Sequence, residues 1–116
     1  MSQITLTDLL MEREKRQEKY FKNYLFYAKR IKKIAQLLLG EVQVFVFGSI
    51  LRKYEIPQDI DILIVSPQLE TSEQKIKIQL KIQKKLGFSL PFEFHLVSPK
   101  EYSQWYRYFI KEKVEI

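Results

Sequence analysis

The 116 residues suit one domain, long enough to bury roughly two-thirds of the unfolded surface without covalent staples. A composition 46% apolar and 29% charged, with three glycines and four prolines, excludes a disordered or collagenous chain, and the absence of cysteine excludes a disulfide scaffold, an iron–sulfur cluster and a thiol nucleophile. The single histidine argues against a histidine-rich zinc site, and the net charge of +6 suits an acidic or polyanionic partner as well as a solvated helix surface.

The pattern from Thr7 to Leu39 is helical. Phe21, Tyr24, Ala28, Ile31, Ala35 and Leu38 recur at steps of three and four and form one stripe, leaving Lys22, Lys29, Arg30, Lys32 and Lys33 largely off it. Glu12 to Lys19 is polar almost all round and is expected to fray or to form a separate helix, and Gly40 is the expected stop. Residues 1–39 hold nine Lys or Arg against four acidic residues. Val42 to Phe47 is dense in β-branched and aromatic residues and reads as a strand, ended by Gly48-Ser49. After a turn containing Pro57, Ile60 to Val65 is a second strand.

Residues 71–86 carry two signals. Ile76, Ile78, Leu80 and Ile82 alternate as in a strand, but the helix-forming Lys, Gln and Leu content and the length suit a crossover helix. Thr71 with Gln74 forms a candidate capping box and Gly87 a candidate stop, so a helix is expected. Phe92 to Val97 is a third strand, with Phe92, Phe94 and Leu96 on one face and Glu93 and His95 on the other. Ser98-Pro99-Lys100-Glu101 starts a last helix, whose aromatic strip of Tyr102, Trp105, Tyr106 and Phe109 either packs on the sheet or forms an interface.

This order implies a small α/β (α+β) domain, a mixed sheet covered by helices, spanning 1–116 with a mainly helical segment over 1–40. No run of 18 apolar residues is present, and the start lacks the apolar core of a secretory signal. A cytoplasmic protein with no membrane association is therefore expected.

The chemistry concentrates at strand ends. Asp59-Ile60-Asp61 opens the second strand, and residues two apart on a strand share a face, so both carboxylates can converge while Ile60 turns away. Glu93 offers a third carboxylate on the next strand. Such oxygen donors suit Mg²⁺ or Mn²⁺ together with substrate phosphates. The Gly48-Ser49 turn allows close backbone approach, and its amides and hydroxyl can meet phosphate oxygens, with Arg52 or Lys53 adding positive charge. It is neither a P-loop nor a dinucleotide fingerprint. His95 shares the face of Glu93 and reads as a surface or hydrogen-bonded structural histidine.

Gly48-Ser49 followed by Asp59-Ile60-Asp61 and the hydrophobic run Ile62-Leu63-Ile64-Val65 resembles the signature of the polymerase-beta-like nucleotidyltransferases. The short chain is similar to the minimal members found beside HEPN-domain proteins in prokaryotic toxin–antitoxin pairs. The resemblance implies metal-dependent transfer of a nucleoside monophosphate from an NTP, with ATP as the expected donor, to a hydroxyl of a protein or RNA acceptor. It implies Asp59, Asp61 and Glu93 as the catalytic metal ligands, and Gly48 and Ser49 at the triphosphate. A HEPN-domain partner, and a homo-oligomer that completes the cleft, are the partners it suggests. The pattern departs from many members where Lys53 follows Arg52 in place of glycine, and where Gln58 precedes Asp59 in place of serine. Two alternatives stand beside this reading. One is a non-catalytic subunit that neutralises a toxin by binding it, and the other is a nucleic-acid-binding module using the basic N-terminal helix.

Overall fold

A computed structural model describes residues 3–116; residues 1–2, the start of the expected helical segment, lie outside the described residues. Two helices precede the first strand, α1 (Leu6–Lys22) and α2 (Tyr24–Leu39). The helical stretch is divided at Asn23, whose side-chain amide donates to the Lys19 carbonyl at 2.9 Å. Asn23 also leaves helical geometry, with φ −116° and ψ 33°. A side chain competing for a helix carbonyl is a local reason for the break.

Helix α1 buries no residue fully. It is closed at its start by a Thr5–Asp8 capping box and held at its far end where Tyr20 and Phe21 reach the core. The polar stretch Glu12–Lys19 thus belongs to a separate helix. Helix α2 buries Ala28, Ile31, Ile34, Ala35 and Leu39, close to the expected stripe, and ends at Gly40.

Strands β1 (Gln43–Phe47), β2 (Ile60–Val65), β3 (Phe92–Val97) and β4 (Lys113–Glu115) form one sheet in the order β3-β2-β1-β4. β1 runs antiparallel to β2 and β4, whereas β2 and β3 are parallel. Parallel neighbours need a crossover, supplied by α3 (Ser72–Leu86). Its start is the Thr71–Gln74 capping box, with Gln74 N–H donating to Thr71 Oγ1 and Thr71 N–H to Gln74 Oε1. Ile78 and Ile82 face the core, while Ile76 and Leu80 are exposed. The alternation that imitates a strand is therefore resolved by helix geometry.

The two-residue period divides the sheet into two faces. Val44, Val46, Ile60, Ile62, Ile64, Phe92 and Leu96 join α2 and α3 in the larger core. Phe45, Leu63, Val65 and Val97 form a smaller core with Ile110, bordered by Phe47, Tyr102 and Tyr106. This second layer comes from a C-terminal helix built of an α turn (Pro99–Glu101), a π segment (Tyr102–Tyr106) and another α turn (Arg107–Phe109). Its start is the expected Ser98–Glu101 box. Among the described residues, no helix is long and apolar enough to cross a membrane.

Candidate active site

The C-terminal helix covers only part of the second face, and polar groups gather at the uncovered end. The ladder pairs Asp61 with Glu93 across the parallel strands and Asp61 with Phe47 across the antiparallel ones. Leu63 pairs with His95, one step further along. Alternation then turns Asp61, Glu93 and His95 to the same face, opposite the fully buried Ile60 and Ile62.

His95 Nε2 lies 3.1 Å from Asp61 Oδ1 and 3.8 Å from Glu93 Oε1. An ionised carboxylate only accepts, so the short bond places a proton on Nε2. The Asp61 and His95 side chains are mostly shielded, whereas that of Glu93 is 57% exposed. The imidazole packs on Phe47, with ring centroids 5.0 Å apart, and against Tyr106 at 6.1 Å. One donor atom from each of Asp61, Glu93 and His95 lies within 4.8 Å of the other two.

The turn after β1 closes on this group. Gly48 has φ +87° and ψ −159°, a region essentially reserved for glycine. A Cβ there would stand 2.2 Å from Asp61 Oδ2. The missing side chain therefore lets the Gly-Ser turn lie directly against the carboxylate. Ser49 begins a short 3₁₀ turn, Ser49–Leu51, in which Leu51 N–H donates to the Gly48 carbonyl and Arg52 N–H to that of Ser49. Arg52 is exposed and paired with Glu55 at 3.1 Å, yet it also lines the cleft beside Gly48 and His95. Lys53 is exposed in the following turn.

Of the three carboxylates expected to meet, the structure brings Asp61 and Glu93 together. Asp59 is exposed one residue before β2 and stands outside the three-residue group, where the third member is His95. The signal for His95 was its spacing two residues after Glu93 on a strand. The basic residues of α1 are exposed.

Carboxylate oxygens are the donors that Mg²⁺ and Mn²⁺ take, and a histidine that donates to such a carboxylate orients it. Two carboxylates in register beside one imidazole, with a backbone turn packed against them, fit a divalent cation that also contacts an anionic ligand. The turn contributes no side-chain bulk, so phosphate oxygens can approach its amides.

The nucleotidyltransferase domain family model matches residues 28–115, which include every strand. The crystal structure of a candidate nucleotidyltransferase superposes with a TM-score of 0.65 at 33% identity, covering 78% of this chain and 97% of that one. A second crystal structure, of a candidate nucleotidyltransferase from Sulfolobus solfataricus, is 20% identical with a TM-score of 0.52, covering 90% of this chain and 83% of that one. It shares the fold. No curated protein matches the sequence. With its sheet, its Gly-Ser turn and its Asp-x-Asp segment in this arrangement, the chain belongs to the nucleotidyltransferase domain family.

Proposed function

We propose that the protein transfers a nucleoside monophosphate from a nucleoside triphosphate, ATP being the donor to test, to a hydroxyl acceptor. The observation that carries this reading is the packing of Gly48 against Asp61, which joins a turn suited to phosphate with a pair of in-register carboxylates. Asp61 and Glu93 would hold Mg²⁺ or Mn²⁺, with Asp59 adding a carboxylate from the exposed approach to β2. When bound, the cation neutralises triphosphate charge and lowers the pKa of the acceptor hydroxyl.

The chain's own residues do the rest. The amides after Gly48 and the Ser49 hydroxyl hold the terminal phosphates, and Arg52 adds a cation at the cleft wall. His95 donates to Oδ1 of Asp61 and fixes the direction of its other oxygen. The acceptor oxygen attacks the α-phosphorus, the bond from that phosphorus to the oxygen bridging to the β-phosphate breaks, and pyrophosphate leaves. The hydroxyl proton passes to a carboxylate oxygen of Glu93, the most exposed of the group and so the nearest to an incoming acceptor.

The test is transfer of label from α-labelled ATP with Mg²⁺ or Mn²⁺, alone and with the protein encoded beside this one. Label on a protein or RNA that disappears with Asp61→Asn supports the reading, and no transfer under any of these conditions opposes it.

A second reading, a subunit that acts by binding a HEPN-domain toxin, is favoured by α1. Ile4, Leu6, Leu9, Leu10 and Met11 are all exposed at its start, an apolar cluster unused by this chain's own core. Inhibition of an unmodified partner would support binding alone.

A further inference from the structure

The C-terminal helix places its aromatic residues on two lines. In the π segment the turn is wider than an α turn, so residues four apart stay in line. Tyr102, Tyr106 and Ile110 point to the sheet and pack in the smaller core. Trp105 and Phe109 lie on the next line and remain 59% and 74% exposed. Their rings are within 6° of parallel, with centroids 6.4 Å apart. A flat group lying against one is therefore parallel to the other.

These two rings line a cleft of about 820 Å³. Phe47, Gly48, Arg52 and His95, from the turn and the edge of the carboxylate group, line the same cleft. A volume of this order accommodates a small molecule. One cleft thus holds both a turn suited to phosphates and a pair of rings suited to a planar group. A nucleotide has both parts, linked by a sugar.

We propose that Trp105 and Phe109 are the base-binding platform of the donor site, taking the purine or pyrimidine ring of a nucleoside triphosphate by stacking. This rests on the reading of the Gly48–Asp61 contact as the phosphate and metal site. Stacking uses the π-face that every base has, so the platform holds a base with little regard to its identity. Neither residue touches the reacting atoms. They are positioning residues, which orient the α-phosphorus by holding the far end of the donor.

Trp105 is the only tryptophan of the chain, so its emission reports directly on the platform. The full-length protein with Mn²⁺ is titrated with ATP, GTP and inorganic tripolyphosphate, following calorimetry and tryptophan fluorescence. All three ligands are expected to bind, but only ATP and GTP to quench Trp105, with affinities within a few-fold of each other. Phe109→Ala and Trp105→Ala should each weaken ATP roughly ten-fold, leaving tripolyphosphate affinity and the melting temperature unchanged. ATP binding that neither substitution alters, or tripolyphosphate quenching Trp105 as ATP does, overturns the platform while leaving the phosphate site intact. Failure of both ATP and tripolyphosphate to bind the unmodified protein overturns the phosphate site, and the platform with it.

Discussion

Gly48→Ala tests the contact between the turn and Asp61. Two effects act together. The backbone at φ +87° and ψ −159° is strained for any residue with a Cβ, by about 1–3 kcal/mol. The new methyl would also stand 2.2 Å from Asp61 Oδ2, where real Cβ contacts are never below 3.0 Å, so turn and carboxylate must separate by about 1 Å. Asp61 cannot swing freely, because its other oxygen is bound to His95 at 3.1 Å. Misplacing a reactive group by about 1 Å typically lowers a rate by on the order of 100-fold. Gly40→Ala is the control, since Gly40 also has positive φ, +75°, but no atom within 4 Å of the built Cβ. Urea unfolding should show a loss of about 1–3 kcal/mol for Gly48→Ala and a loss of similar origin for Gly40→Ala. Mn²⁺ affinity and nucleotide transfer should fall only in the first. If the two variants matched in metal affinity and transfer, the turn would not be what seats Asp61.

Three further outcomes are expected. His95→Phe keeps a ring against Phe47 but removes the donor to Asp61, so Mn²⁺ affinity measured by calorimetry should drop about 10–100-fold, as for other partners of metal-binding groups; unchanged affinity would remove His95 from the site. Leu63→Ala empties a fully buried position in the smaller core and should lower stability by about 2–5 kcal/mol in urea titrations. A third prediction concerns Glu101. Burial alone would raise its pKa, but the hydrogen bond from Lys75 at 2.8 Å and that from the Ser98 amide outweigh burial and lower it below the ordinary 4.5. Its stabilising effect is present above the ordinary carboxylate value and is lost as pH falls through the lowered folded value. Thermal melts from neutral to strongly acidic pH should lose this contribution at the acid end. Glu101→Gln should lower stability near neutrality and flatten that part of the profile.

Much of this architecture was legible along the chain because it is governed by near neighbours. The β-branched and aromatic density of Val42–Phe47, the apolar run Ile60–Val65 and the alternation in Phe92–Val97 marked three strands within a residue of their observed bounds. The Thr71–Gln74 and Ser98–Glu101 boxes marked two helix starts, since a cap involves residues only three apart. Alternation turned Asp61 and Glu93 each away from the apolar side of its own strand, and the pairing of β2 with β3 then put them on one face of the sheet. β4 was not legible, because Lys113-Val114-Glu115 is too short to show a pattern and is a strand only through its pairing with β1. The aromatic strip read as a single face is divided in the structure, Tyr102 and Tyr106 of the π segment reaching the sheet while Trp105 and Phe109 stay exposed.

The site divides in the same way. Local sequence determined which residue types stand at the strand ends and which way they face. Tertiary pairing decided which of them meet. The register of β2 against β3 sets Glu93 and His95 beside Asp61 and leaves Asp59 ahead of the ladder. The approach of Gly48 to within contact of Asp61 depends on β1 lying antiparallel beside β2. A strand's alternation is fixed by its own backbone dihedrals, but its register depends on surfaces buried between segments tens of residues apart.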